Sequence, residues 1–211
     1  MFFIVNIVPA YCLNIMIAAE RIAYLQDRIA RFEDQEAYKE LFISLYNYLY
    51  NFAWNFVKSK QVSEEVVSDV FIKVWEKRKS LEKINNLKVY LYVATKNISL
   101  NYLERKTYSS CSDIEDYSSE LKSTYSDPEQ LLITSDMLLL INKAILQLPP
   151  RCRLIFKLVK EDRMKYKEVA EILHISEKTV ENQVAIAVRK IGAVISFDIK
   201  RSVSSTISHS K

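Results

Sequence analysis

The sequence has 211 residues, enough for one large or two small domains, and 49% of them are apolar and 27% charged, as in a folded protein. A single glycine and four prolines provide few turns, which argues against a β-rich fold and predicts an all-α chain. Three widely spaced cysteines without a CxxC pair are typical of reduced thiols and of a cytoplasmic protein. Two histidines and no glycine-rich phosphate loop give no support to an enzyme, so we expect no catalytic centre, metal, cofactor or small-molecule substrate.

The net charge of +4 is unevenly distributed along the chain. Residues 73–106 contain nine Lys and Arg against three acidic residues, residues 107–130 one against six, and residues 149–191 ten against six. Two basic segments separated by an acidic one predict two contacts with a polyanion.

These patterns divide the chain into five segments. They are an apolar extension at 1–19, a helical domain at 20–106, a linker at 107–128, a second helical domain at 129–195 and a frayed tail at 196–211. The extension has three open interpretations. Its first fifteen residues are an annotation artefact with translation from Met16, or it is a peripheral helix, or it is a membrane element that Pro9 weakens.

The first domain should contain one or two aromatic-rich helices over 20–58 and a clear amphipathic helix over 63–79. Ser63 is the expected cap of that second segment, with Glu64 and Glu65 in its first turn. Its buried side comprises Val66, Val67, Val70, Phe71, Val74 and Trp75, and its other side Glu65, Ser68, Asp69, Ile72, Lys73 and Glu76.

A polar loop over 80–86 leads to a helix over 87–106 that mixes aromatic and basic residues. Its expected apolar face is Leu87, Leu91, Ala94 and Ile98, with Tyr90 and Tyr102 also in the core. The faces left for other contacts carry Lys88, Tyr92, Lys96, Ser99 and Arg105. Rings interleaved with cations suit unpaired bases, because bases stack on rings while cations hold phosphates. Plain solvated cations remain the alternative.

The acidic linker has no periodicity. A helix should begin after Asp127-Pro128 and end at Pro149, and Pro150 should lie in the first turn of the next helix. Two short helical patterns then follow around the connector His174-Ile175-Ser176. Their inward residues are Val169, Ala170 and Leu173, then Val180, Val184, Val188 and Ile191. With Ser176 as N-cap, this predicts a helix-turn-helix whose second helix presents its polar face to a major groove. An ordinary helical hairpin is the open alternative.

These segments resemble an extracytoplasmic-function sigma factor of bacterial RNA polymerase, in the sigma-70 family, over roughly residues 20–195. The C-terminal likeness rests on Leu148-Pro149, on 166–170 and on 175–180, although His174 stands where the family often has Gly. In 63–79 the match rests on Glu65, Asp69, Phe71, Lys73 and Trp75, with Ser68 replacing a common Gln. In 87–106 it rests on Tyr90-Leu91-Tyr92, Lys96-Asn97 and Tyr102-Leu103, with Glu104 replacing a basic residue.

The resemblance implies promoter recognition as a polymerase subunit, and it assigns residues to three contacts. Core polymerase should meet Glu65, Ser68, Asp69, Ile72 and Lys73. Minus-ten DNA should meet Asn85, Asn86, Lys88, Tyr92, Lys96 and Arg105. Minus-thirty-five DNA should meet Lys178, Glu181, Asn182, Gln183, Ala185 and Arg189. Implied partners are core RNA polymerase, promoter DNA and an anti-sigma factor, with membrane anchoring of the latter left open. The alternative is a stand-alone helix-turn-helix regulator.

Overall fold

The computed structural model describes the backbone of residues 18–109 and 132–208, with side chains for 18–105 and 139–195. Nearly all of the predicted N-terminal extension and of the predicted linker therefore lies outside the described residues. Within the described ranges there is no strand, which confirms the all-α prediction. None of these helices is long and apolar enough to cross a membrane.

The helices are numbered in chain order, with one 3-10 segment between the third and the fourth. They are α1 (Ala19–Phe32), α2 (Gln35–Val57), α3 (Lys60–Glu76), the 3-10 helix (Arg78–Lys83), α4 (Leu87–Ser109), α5 (Leu132–Leu146), α6 (Pro150–Lys160), α7 (Tyr166–Leu173) and α8 (Glu177–Ser208).

The core of the first domain is built around α2. Leu41, Leu45, Leu49 and Phe52 recur at helical spacing on this helix and are all 2% exposed or less, so they form one buried stripe. The stripe packs against α3 and α4. Asp34 caps α2 because its Oδ1 accepts from the amides of Glu36 and Ala37.

The apolar and polar sides of α3 are as the sequence predicts, but the helix begins one turn earlier. Its N-cap is Ser59, whose hydroxyl accepts from Val62 N, and not Ser63. Ser63 is fully buried and donates to the carbonyl of Ser59 at 2.7 Å. The earlier start follows from Val62, which is 7% exposed and adds one more apolar turn to the stripe.

The segment after α3 is a 3-10 helix where the sequence predicted a polar loop. Leu81 is 1% exposed, and its burial holds this turn against the domain. Gln26 on α1 donates from Nε2 to the carbonyls of Leu81 and Ile84, each at 2.7 Å. These bonds hold the segment that leads into α4 against α1.

The second domain has its own apolar cluster, made by α5, α6 and α8. Pro150 lies in the first turn of α6, as predicted. The backbone of α8 is helical through Ser208, so the tail predicted to fray from 196 is helical over most of its length. In the same way α4 extends to Ser109, three residues past its predicted end.

Three helices end on a residue other than glycine in the left-handed conformation. They are α1 at Glu33 (φ 51°), α2 at Lys58 (φ 52°) and α7 at His174 (φ 51°). Such C-caps usually carry Gly, since a Cβ costs about 1–2 kcal/mol at positive φ. The chain has only one glycine. Hydrogen bonds from the cap amides to carbonyls near the end of each helix offset the strain.

Candidate nucleic-acid interface

Helices α7 and α8 form the predicted helix-turn-helix. His174 ends α7 in the left-handed region, and Ser176 caps α8 by accepting from Thr179 N at 3.0 Å. The first turn of α7 is capped by a carboxylate: Glu168 accepts from the amide of Lys165 at 2.8 Å. The lysine side chain has no hydrogen-bond acceptor, so only one of the two bonds of a capping box forms. It is the bond from the backbone amide of the N-cap residue to the glutamate side chain.

The apolar positions of the two helices point inward as expected. Val169 and Val180 are fully buried, Val184 is 5% exposed and Ile191 is 1% exposed, while Val188 is half-buried. This packing fixes which side of α8 faces solvent, because residues three and four apart share a helix face.

The residues predicted to read the major groove lie on that outer side. Lys178, Glu181, Asn182, Ala185 and Arg189 are exposed, and Gln183 is half-buried. Lys178 and Glu181 form an exposed ion pair at 2.8 Å. An exposed pair of this kind contributes little stability, so Glu181 can leave Lys178 for a base.

The residues predicted to contact core polymerase form a continuous ridge on α3. All five are exposed, and Ile72 stands out as an apolar side chain that is 54% exposed. Glu65 accepts from Gln61 Nε2 at 3.1 Å, and the hydroxyl of Ser68 donates to Glu64 O within the helix. The ridge therefore combines two carboxylates and a cation around one exposed apolar side chain.

Three of the six residues predicted to contact minus-ten DNA do not lie on an open surface. Lys88 is 9% exposed, Tyr92 is fully buried and Lys96 is 6% exposed, because the second domain packs over this side of α4. The expectation that these three side chains face outward is therefore wrong for this arrangement. Ser99 is also buried, donating to Thr95 O, whereas Tyr102, expected in the core, is 38% exposed.

Four hydrogen bonds define what we call the interdomain contact. Lys88 Nζ donates to the carbonyl of Asp162 at 2.6 Å, and the Tyr92 hydroxyl donates to Asp162 Oδ2 at 2.7 Å. Lys96 Nζ donates to the carbonyl of Ile172 at 2.7 Å. Asn86 Nδ2 donates to Glu168 Oε1 at 2.8 Å, while its own Oδ1 caps α4 by accepting from Val89 N. Asn85 and Arg105, the remaining minus-ten candidates, are exposed.

Desolvation has the largest effect on the pKa values of the groups in the interdomain contact. Burial raises the pKa of the Asp162 carboxyl to about 7, although the bond from Tyr92 and the charges of Lys88 and Lys157 act in the opposite direction. Burial likewise raises the pKa of Tyr92 well above its usual range and lowers the pKa values of Lys88 and Lys96. Each of these groups is held in a site that disfavours its charged form.

Sequence reasoning missed the residues that meet α4 from the second domain. Asp162 follows α6 in an irregular turn, and no periodicity or motif singles it out. Ile172 takes part through its backbone carbonyl, which leaves no trace in the sequence. Over the described part of the chain, no cluster of His, Cys, Asp and Glu is suited to hold a metal ion.

Two linked helical domains, the second carrying a helix-turn-helix with a polar outer face, define a DNA-binding protein. The family described as Sigma-70 region 2 matches residues 41–108, and the family Sigma-70, region 4 matches residues 138–191. The chain therefore belongs to the sigma-70 family, as a sigma factor of the extracytoplasmic-function type that binds core RNA polymerase and directs promoter recognition. Comparison with curated proteins gives no match.

Two solved structures are similar in fold. One is the sigma factor RpoE in complex with the anti-sigma factor NepR from Bartonella quintana, with a TM-score of 0.55 and 20% identity over 76% of this chain and 97% of that one. The other is CnrH in complex with the cytosolic domain of CnrY, with a TM-score of 0.51 and 20% identity over 86% and 99%. At this identity the likeness concerns the fold alone.

Proposed function

We propose a division of labour in which α3 docks on core polymerase, α4 takes the melted minus-ten strand and α8 reads the minus-thirty-five element. The observation that carries it is the outer side of α8, where an exposed polar face lies directly opposite the buried valines. Under this proposal the helix-turn-helix acts as part of a polymerase subunit, and a stand-alone regulator is not favoured.

The positions of the polar side chains on α8 support two kinds of contact with DNA, to base edges and to phosphates. Glu181 can accept from a cytosine amino group, and Asn182 or Gln183 can pair bidentately with adenine. Lys178 and Arg189 lie towards the two ends of the exposed face and suit phosphates, whose contacts set register without reading sequence. Ala185 lies between them and can touch a thymine methyl or allow close approach.

On α3 and α4, the proposal assigns docking to the ridge and strand capture to the basic stripe. The exposure of Ile72 beside Asp69 and Lys73 supports docking, since protein interfaces combine an apolar centre with a polar rim. Lys88, Tyr92 and Lys96 recur every four residues along α4 and lie on one line. They can contact successive nucleotides once the second domain is displaced, and Asn85, Asn86 and Arg105 flank that line.

We further propose that the protein acts in the cytoplasm, where its polymerase is, and that a protein inhibitor of the anti-sigma class controls it. One of the two similar structures is a complex with an anti-sigma factor and the other is a complex with the cytosolic domain of CnrY, which supports a protein partner of this class. A pull-down with a tagged chain from its own cells, followed by mass spectrometry, tests it. Recovery of core polymerase without any candidate inhibitor under uninduced conditions would contradict the proposal.

The test of the α8 assignment is a randomised promoter library transcribed by holoenzyme. Substituting Glu181→Ala or Gln183→Ala should change which upstream bases are tolerated, at a cost of about 1–3 kcal/mol for one position. Arg189→Ala should instead weaken binding to all promoters alike. It should also reduce the slope of log affinity against log salt concentration by about one. If both base-reading variants select the same upstream bases as the parent, α8 does not read sequence through these residues.

The test of the α4 assignment is promoter melting. Lys96→Ala removes a cation without touching the apolar core, whereas Tyr92→Ala would also remove a ring that packs on Phe52 at 5.0 Å between centroids. Holoenzyme with Lys96→Ala should open the promoter less, as measured by permanganate reactivity of unpaired thymines. Normal reactivity would remove Lys96 from the proposed strand path.

A further inference from the structure

A groove between α1 and α2 is a part of the first domain to which the proposed function gives no role. Its volume is about 400 Å³, and its inner wall includes the buried apolar residues Leu25 and Ala37. Two large apolar side chains also line it and are exposed, Tyr24 at 52% and Ile43 at 64%. Apolar side chains that are exposed together along one groove indicate an interaction surface, whereas singly scattered ones do not.

The charged side chains along the groove neutralise one another. The three ion pairs are Arg21 with Glu40 at 2.6 Å, Arg28 with Asp34 at 2.8 Å and Lys39 with Glu36 at 3.8 Å. Among the described residues that line the groove, each charged side chain therefore has a partner of opposite sign. A charged occupant would have to compete with these pairs, so the groove favours an occupant that is apolar and uncharged.

The segment that precedes α1 has this chemistry. Residues 1–17 contain no Asp, Glu, Lys, Arg or His, and all but Asn6, Pro9 and Asn14 are of apolar types. Contact with water is unfavourable for such a composition, so burial against an apolar surface is stabilising.

The segment also joins the first domain beside the groove. The described residues begin at Ala18, the N-cap of α1, and Arg21 on the first turn of that helix already lines the groove. The 14 residues of α1 extend over about 21 Å. Seventeen residues span about 25 Å as a helix and up to about 56 Å when extended, so either conformation is long enough to turn back along α1.

We propose that residues 1–17 fold back onto the first domain and fill the groove between α1 and α2. Of the three interpretations of the extension, this one makes it a peripheral part of the fold. Exposed apolar side chains on both sides of the contact would then be covered by a segment of the same chain.

The filled groove leaves the ridge on α3 accessible. Tyr38 and Phe42 of α2 pack on Phe71 of α3. Glu40 and Ser44, which line the groove, lie on the opposite side of α2 because residues two apart point about 200° away from each other. The proposal therefore goes beyond the proposed function and can fail without affecting it.

Cross-linking through Cys12 tests the proposal in the full-length chain. In a chain with Ile43→Cys, a short bis-maleimide should link the introduced thiol to Cys12 within one molecule, and mass spectrometry of the joined peptides identifies the link. Leu139→Cys is the matched control, because Leu139 is 67% exposed but lies on α5 in the second domain. The link to Cys12 should form several-fold more with Ile43→Cys than with Leu139→Cys.

The reactivity of Cys12 provides a second measurement that needs no introduced cysteine. Ile43→Asp places a charge at the groove and should raise the rate of maleimide reaction at Cys12 several-fold, because the apolar contact is lost. Circular dichroism should be unchanged, since Ile43 is exposed. Leu139→Asp makes the same chemical change in the second domain and should leave the rate at Cys12 as in the parent.

Links that form equally in both cysteine variants, or in neither, would overturn the proposal, and so would a rate at Cys12 that Ile43→Asp does not change. Links between two molecules, seen as dimers on a denaturing gel, would assign the groove to a second copy instead. Protection of Cys12 that requires added vesicles of phosphatidylcholine and phosphatidylglycerol would assign the extension to a membrane surface. A protein from its own cells whose first peptide begins at Met16 would also overturn the proposal, because most of the segment would then be missing.

Discussion

The hydroxyl of Tyr92 on α4 donates a 2.7 Å hydrogen bond to the carboxylate of Asp162, 70 residues further along the chain. Tyr92 is fully buried, and its ring also packs on Phe52 of the first domain. A single side chain therefore belongs to the core of one domain and to the contact with the other.

This pair should show energetic coupling. Tyr92→Phe removes only the hydroxyl, and combined with Asp162→Ala it should give a coupling energy of about 1 kcal/mol, because each single variant already breaks the bond. Urea unfolding of the parent, the two single variants and the double variant measures it. Tyr38→Phe provides the control, because the Tyr38 hydroxyl donates to Phe71 O inside the first domain. The changes that Tyr38→Phe and Asp162→Ala make in the free energy of unfolding should therefore be additive.

Closure of the two domains should depend on pH through Asp162. The pKa of its carboxyl is about 7 in the closed arrangement, against 3.8 as the ordinary value, so between these values the closed state holds a proton that the open state has released. Closure should be strongest at low pH and weaken as the pH rises towards 7. The charged and titratable groups acting on Asp162 are Tyr92 and Lys88 from α4, Lys157 from α6 and Glu161, which follows α6 directly.

Small-angle scattering of the free chain across this pH range measures the effect as a change in radius of gyration. Asp162→Asn keeps a neutral acceptor for Tyr92 and should remain closed without the pH response. A parent chain whose radius is constant over the range, or an Asn variant that responds as the parent does, would contradict a role for Asp162 in the response.

The docking ridge predicts a charge-sensitive affinity for core polymerase. Asp69→Lys should weaken binding by about tenfold or more, equivalent to about 1.4 kcal/mol, with helicity unchanged because Asp69 is exposed. Glu76→Lys makes the same charge change at the last residue of α3, outside the ridge, and should bind nearly as the parent does. Equal loss in both variants would mean that net charge, and not the ridge, governs affinity.

The turn of the helix-turn-helix should tolerate glycine. His174 sits at φ 51°, which costs about 1–2 kcal/mol for a residue with a Cβ, and glycine removes this strain while losing about 0.5–1 kcal/mol through greater freedom in the unfolded chain. His174→Gly should therefore stabilise the chain by no more than about 1.5 kcal/mol. Thermal unfolding checks this, and His174→Ala, which keeps a Cβ, should show no gain.

Local patterns predicted the elements well, and the α3 stripe shows why. The spacing of Val66, Val70 and Val74 fixes the buried face, and the exposed ridge follows from it. The start of the helix was harder to place because Ser59 and Ser63 are both competent caps one turn apart. Only the burial of Val62 decides between them, and burial depends on what packs there.

The burial of the polar face of α4 could not be predicted from the sequence of that helix. Periodicity separates Leu87 and Leu91 from Lys88 and Tyr92, and it assigns the second pair to a different face. Whether that face meets water, DNA or another domain depends on residues 70 or more positions away. Half of the acceptors on the second domain are backbone carbonyls, which leave no sign in the sequence.

Cys152 on α6 is fully covered and donates from its sulfur to the backbone carbonyl of Gln183 at 3.3 Å, next to the residues proposed to read DNA. Burial raises the pKa of its thiol, so it stays protonated and is a poor target for oxidants and alkylating reagents while the second domain is folded. Its reaction with a maleimide therefore requires opening of the α6–α8 packing. The native sequence thus contains its own reporter of unfolding in the second domain, since the rate of maleimide reaction at Cys152 follows that opening without an engineered cysteine.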